Sequence, residues 1–243
     1  MPHQQKKLIR KFSKKALQQK ELPFNTSLVV WGTNLGSTVG SGRLTKQVRE
    51  MISFPPYQKS IIVGLILSDG WLIISNSKNA RLGFAQSGSN SEYFWFVFSL
   101  LSHYCSSYPT IRNRSYRGKQ TISLQFLTRL MPCLTELYSL FYINKVKSIP
   151  EDIYNLLTPV ALAHWIMGDG VAKSHGIILC TDSHSVQDIV RLMNVLMIRY
   201  DLECTLRFHT PSQPRIYIIQ RSKGLLRTIV TPHMDMSMLY KLC

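Results

Sequence analysis

Two carboxylates stand at matched places in this chain. Residues 60–70 read SIIVGLILSDG and residues 162–170 read LAHWIMGDG, so Asp69 and Asp169, one hundred positions apart, each close an apolar run and each precede a glycine. A carboxylate at a helix C-terminus faces the negative end of the helix dipole, and two neighbouring carboxylates repel. A bound divalent cation reverses both penalties, and hard oxygen donors suit magnesium. The chemistry indicated is that of a metal centre built from two acidic side chains.

The runs that carry them read as helices. Pro56 precedes the first run, and Thr158-Pro159 opens the second with a good N-cap and a good first helical residue. Gly70 and Gly170 are natural C-terminal glycines. Neither run is amphipathic, which predicts burial on most sides. Gly64 and Ser68 interrupt one run, and Ala161, Ala163 and Gly168 the other. Small residues let helix backbones approach closely, so packing the two runs on each other brings Asp69 and Asp169 together at one end.

Both runs resemble the motif of the LAGLIDADG homing endonucleases, in the form that carries two motifs in one chain. In GLILSDG, Gly64, Leu65, Ile66, Asp69 and Gly70 match the motif; in HWIMGDG, Ile166, Asp169 and Gly170 match, while His164 and Trp165 depart from it. The likeness runs over residues 55–243, and the stretches KSIP, LTP and MLYKL also occur, in this order, in mitochondrial intron-encoded members. The resemblance implies an α/β (α+β) fold of two pseudosymmetric αββαββα halves, residues 56–146 and 147–243, after a basic arm and extension of residues 1–55. Its antiparallel sheets would form a saddle over DNA. It implies a monomeric, magnesium-dependent, site-specific endonuclease that cuts both strands of a long duplex target, encoded and acting in a fungal-type mitochondrion. The metal ligands would be Asp69 and Asp169, helped by backbone carbonyls near Ser68 and Gly168, and Lys147 and Lys241 match positions where a basic residue flanks each active site. Lys145 competes with Lys147 for that role. Some family members are instead RNA maturases that assist splicing of a host intron, which makes intron RNA a second candidate partner. A DNA-binding protein without catalysis is a third reading, weakened by the intact pair of carboxylates.

Along the chain, residues 29–31 suggest a short strand, 33–42 a loop of small residues and 46–52 a short helix. After the first motif come strands at 71–75 and 81–87, a helix at 91–105, a second hairpin from 110–114 and 120–126, and a helix at 132–142. The second half repeats the order with a strand at 177–181, a helix at 185–200, strands at 203–208 and 215–220, and a helix at 222–231; residues 144–152 connect the halves. Strand side chains alternate faces, so one face can pack on helices while the other reads bases. The candidates for reading are Ser75, Asn76, Lys78, Asn79, Arg81, Gln86, Arg112, Arg114, Arg117, Lys119, Gln120, Lys173, Arg207, His209, Gln213 and Arg215. Gln86 and Thr181, on strands after the motif helices, are also candidates for holding water at the site. His164 reads as a packed interface histidine.

Twenty-nine Lys and Arg against thirteen Asp and Glu give a net charge of +16, which calls for a polyanionic partner. The charge is spread rather than set on one amphipathic helix, and no apolar run reaches a membrane span, so no membrane partner is expected. The five cysteines are widely spaced and fit neither a zinc pattern nor a disulfide framework; they read as reduced packing residues. No Ser-His-Asp triad or Gly-rich nucleotide loop is present.

Overall fold

The computed structural model describes residues 43–74, 79–116, 119–182 and 184–243, with the backbone alone for 28–30, 33–35, 114–116 and 119–120. The basic arm expected over residues 1–20 lies outside the described residues. Strands β1 (Leu28–Val30) and β2 (Thr33–Leu35) pair antiparallel, so a strand stands at 33–35 where a loop was expected. Helix α1 (Lys46–Met51) follows, capped by Thr45.

The first half runs α2 (Pro56–Leu67), β3 (Gly70–Ile74), β4 (Ala80–Ser87), α3 (Ser91–Leu101), β5 (Thr110–Tyr116), β6 (Lys119–Leu127) and α4 (Pro132–Phe141). A small hairpin, β7 (Tyr142–Ile143) and β8 (Val146–Lys147), and a single turn, α5 (Ile153–Leu156), lead on. The hairpin turn is left-handed at Asn144 and Lys145, and the expected boundary between 146 and 147 falls inside it. The second half runs α6 (Pro159–Asp169), β9 (Gly170–Lys173), β10 (Gly176–Cys180), α7 (Val186–Tyr200), β11 (Cys204–Phe208), β12 (Pro214–Ile219) and α8 (Lys223–Val230), and ends in a 3-10 segment, Met236–Leu242.

The two halves repeat one topology. The four-stranded sheets have the orders β3-β4-β6-β5 and β9-β10-β12-β11, all antiparallel. Strand β9, absent from the expected order, is the counterpart of β3. On each sheet alternate side chains enter the core: Leu82 and Phe84 from β4, Ile177 and Leu179 from β10, and Ile216 and Ile218 from β12 are all fully buried. The opposite faces carry Trp71, Arg81, Arg112 and Arg207, with Tyr217 buried beneath Arg207. This is the pseudosymmetric saddle expected from the sequence.

The helices α2 and α6 join the halves. Ile61, Leu65, Ile66, Ala161, Leu162 and Trp165 are fully buried, which is why neither run shows a polar face. Thr158 caps α6 by accepting from the Ala161 amide, and Pro56 and Pro159 occupy the first helical turns. Contact is closest at the small residues. A Cβ on Gly64 would overlap the Ala161 carbonyl oxygen and lie 2.6 Å from His164 Cβ; one on Gly168 would overlap Ser68 Cβ and lie 3.2 Å from Asp69 Oδ2. His164 is buried in this interface, its ring stacked on Phe96 and its Nδ1 3.1 Å from Tyr93 Oη. All five cysteines are free thiols. Among the described residues, no helix is long and apolar enough to cross a membrane.

Candidate active site

The contact at Gly168 brings the carboxylate of Asp69 against the end of the partner helix, next to Asp169, so the two aspartates stand together at the α2–α6 junction and feel each other's charge. Burial raises both. Asp169 is pushed up to about 7, first by desolvation and then by the Asp69 charge, with Lys147 and Lys241 pulling it back. Asp69 is raised by desolvation, opposed by a hydrogen bond from Gln86 and by the same two lysines.

Lys147 and Lys241 are held at the helix ends by backbone. Lys147 Nζ donates to the carbonyls of Ile66, at 2.7 Å, and Gly70, at 3.1 Å. Its hairpin is fixed by the Ser148 amide donating to the Phe141 carbonyl, and next to it the Ile149 amide donates to Asp188 of α7. Lys145, the competing candidate, sits in the exposed turn. Lys241 Nζ donates to the Gly168 carbonyl at 2.6 Å. Its segment is anchored by Arg227, which donates twice to the Leu242 carbonyl, and is capped by Asp235 at the Ser237 amide. Both ammonium groups thus meet carbonyls at the negative end of a helix, a favourable setting for a cation. Burial lowers both lysine pKa values, and the two aspartates oppose the shift.

Several candidate positions differ from expectation. The Gly168 carbonyl, expected to face a metal, is engaged by Lys241. Gln86 is 8% exposed and lies on the same face of β4 as Leu82 and Phe84, so it is not on the open face. Its Nε2 donates to Asp69 Oδ2 at 2.5 Å, and Asn90 Nδ2 donates to Gln86 Oε1 at 3.1 Å. Thr181, the equivalent position in the second half, is buried and donates to the Pro214 carbonyl instead. Arg215 stands on the open face in a bidentate pair with Asp182, at 2.8 and 2.9 Å. Asn79 accepts from Thr135 Oγ1 at 3.4 Å, which ties it to α4.

The other reading candidates fall into three groups. Arg81 is half-buried and Arg112 exposed, both on the open face of the first sheet. Lys173, Arg207, His209 and Gln213 lie on the second sheet or at its hairpin tip, where Arg207 stacks on Tyr217 with its guanidinium 3.6 Å from the ring centre. Ser75, Asn76, Lys78 and Arg117 are outside the described residues, and Arg114, Lys119 and Gln120 are described only as backbone. Asn90 behind Gln86 is a local contact four residues on that strand alternation does not mark, and Asp182 reaches Arg215 only when β10 and β12 pair. Trp71, laid across Gly83 on the open face, was also missed; strand alternation from the buried Leu72 would have found it.

The chain is similar to known proteins in sequence and in fold. The model of the family described as LAGLIDADG DNA endonuclease matches residues 59–225. The chain is 32% identical over 170 residues to the cytochrome b mRNA maturase bI2 of Debaryomyces hansenii, covering 68% of this chain and 65% of that protein. It is 33% identical over 196 residues to the protein of the same name from Saccharomyces cerevisiae, covering 75% and 46%. It therefore spans less than two thirds of the length of either. The fold is similar to that of the homing endonuclease I-WcaI bound to its DNA recognition sequence, with a TM-score of 0.76 and 25% identity over 84% of this chain and 95% of that one. Because the family match runs through both motif helices and both sheets, the chain belongs to the LAGLIDADG DNA endonuclease family.

Proposed function

We propose that the protein is an intron-encoded, site-specific DNA endonuclease that works as a monomer. A duplex lies on the open faces of the two sheets, and one phosphodiester is hydrolysed in each strand. The observation that carries this reading is the pairing of Asp69 and Asp169 at the α2–α6 junction, with a lysine held at each helix end. Residues 56–146 and 147–243 serve as the two halves, and residues 1–55 as an extension.

The residues present fit magnesium. Two desolvated carboxylates that repel each other are poorly placed without a cation, and both offer hard oxygen donors. Among the described residues, no group of three or more His, Cys, Asp or Glu is arranged to hold a metal ion. Asp69 and Asp169 would hold the ion, leaving its other positions to water and phosphate oxygens, as magnesium favours. When bound, magnesium polarises phosphate oxygens and lowers the pKa of coordinated water. Hydrolysis joins a water oxygen to phosphorus and breaks one ester P–O bond, and the departing oxygen takes up a proton from solvent. Lys147 and Lys241 place positive charge beside the phosphorus where negative charge grows. Gln86 fixes the rotamer of Asp69.

A second reading is RNA maturation. Two relatives at 32% and 33% identity are named mRNA maturases, and the same basic surface suits intron RNA. Their cytochrome b message is also what supports a fungal-type mitochondrial location for this chain.

The test is to incubate the purified chain with magnesium and duplex DNA spanning its intron-insertion site. Double-strand cleavage is expected, and Asp69→Asn and Asp169→Asn should each abolish most of it while still shifting the duplex in a gel. Full cleavage by the double variant would remove the aspartates from the chemistry. Splicing of the host intron by the wild-type chain without any DNA cleavage would favour the maturase reading.

A further inference from the structure

A cleft of about 560 Å3 lies at the end of the first sheet, away from the aspartates, between the segment that precedes α2 and the strands of the sheet. Four of its walls are arginines: Arg43 and Arg49 from the N-terminal side, Arg81 from β4 and Arg129 from the stretch after β6. Ser106 and Thr128 add hydroxyls. No acidic side chain lines it among the described residues. Positive charges so close repel unless an anion joins them.

Two further observations point to an anionic ligand. Arg49 Nε is buried with no hydrogen-bond partner, which is costly for a charged donor. Arg129 is 7% exposed, so its positive charge stands in the cleft wall with little water around it. Guanidinium groups match phosphate in a planar, two-pronged fashion. The cleft is too large for a single phosphate ion and suits a stretch of sugar-phosphate.

Its position selects the polymer. Arg81 stands on the open face of β4, between the buried Ala80 and Leu82 and opposite Ile73 of β3. A duplex resting on that face meets Arg81, and Arg43 and Arg49 line the same cleft. We propose that Arg43, Arg49, Arg81 and Arg129 form a clamp for the DNA backbone, which makes the segment before the first motif helix part of the DNA-binding surface. The inference rests on the reading of the open faces as the DNA side. A clamp on phosphates carries no base preference of its own and sets register and affinity. The segment before the second motif helix, residues 142–158, carries no arginine, so the clamp acts on one side of the target only.

The experiment is a salt titration of the full chain on a random-sequence duplex of about 40 base pairs, with single-stranded RNA of the same length in parallel; each phosphate contact contributes about 0.9 to the slope of log K against log salt. The double variant Arg43→Gln/Arg49→Gln should lower the duplex slope by about 1 to 2 and weaken binding, whereas Arg43→Lys/Arg49→Lys should keep the slope. If the Gln double variant melts below the assay temperature, Arg43→Glu at its exposed position gives the same readout. An unchanged duplex slope overturns the clamp and leaves the endonuclease reading standing. A loss seen on RNA alone overturns the assignment to DNA. Failure of the wild-type chain to bind the duplex at all overturns both.

Discussion

Gln86 donates from Nε2 to Asp69 Oδ2 at 2.5 Å, whereas Thr181 at the equivalent strand position turns to the Pro214 carbonyl at 2.7 Å. The two halves share a topology but not a set of contacts around their aspartates. Asp69 has a neutral donor backed by Asn90, and the second half supplies none from that position.

The first prediction follows from this asymmetry. Gln86→Ala should slow cleavage of one strand by about tenfold or more, since a hydrogen bond to a charged group is worth roughly 1.5–3 kcal/mol. The other strand should be affected less, so nicked duplex accumulates. Because Gln86 acts through Asp69, the variant should also need more magnesium for half-maximal rate. Strand-resolved time courses over a magnesium series read both effects. Equal slowing of the two strands at every magnesium concentration would remove the positioning role.

A second prediction concerns the apo protein. Asp169 has a pKa of about 7 in the folded chain and an ordinary value of 3.8. Below about pH 4 both the folded and unfolded forms are protonated there, and no stability is lost. As pH rises toward 7 the unfolded chain ionises first, and folding becomes less favourable. Asp169→Asn should therefore raise the melting temperature in chelator at pH 8, by on the order of 1–3 kcal/mol of stability, and by nothing near pH 4. A gain that is the same at both pH values would rule out this origin.

His164 should act in the opposite sense. Burial lowers its pKa from 6.5 to about 3. Above 6.5 the ring is neutral in both states and its packing is intact; as pH falls toward 3 the unfolded chain takes up a proton that the folded chain refuses, and stability is lost. His164→Gln is expected to melt lower at pH 8 but to lose less on acidification. Melting temperatures between pH 8 and 4 decide this, and a parallel acid limb in the variant would count against it.

The helix contact gives a fourth test with an internal control. Gly64→Ala and Gly168→Ala should each destabilise by about 1–3 kcal/mol through overpacking. The Gly168 clash is with the Ser68 side chain, so adding Ser68→Gly should recover much of the loss. At Gly64 the obstacle is the Ala161 carbonyl oxygen in the backbone, and no side-chain change should relieve it. Denaturant midpoints for the three variants make the comparison.

Much of this fold was legible because its signals are local. Thr158-Pro159 at one helix start and alternation along β4 each act within a few residues, and the elements formed where those signals stand. The two glycines do not cap in the expected way: α2 ends at Leu67 with Ser68 as its cap, Gly170 is extended with φ −72°, and both Gly70 and Gly170 instead allow a close approach to carbonyls of their own helices. Strand β9 was missed because GVAK is short and only weakly apolar; its strand character comes from pairing with β10. The hairpin β7-β8 hides in the same way, although it positions Lys147. Lys147 and Lys241 are legible only through family likeness. No spacing rule could have placed them, because each reaches across more than seventy residues to a helix-end carbonyl. Gln86 was legible as a polar strand residue, but its face was not: that depended on recognising that Leu82 and Phe84 both point inward.

Each sheet begins where its helix ends: β3 starts at Gly70 and β9 at Gly170, one residue past the aspartates. In the proposed complex, the ruler that reads the target and the blade that cuts it are consecutive residues of one chain. The distance between the bases read and the bonds cut is then set by covalent connectivity and not by a hinge. Redesign of open-face side chains, even to a wholly different target, should leave the spacing between the two cuts unchanged.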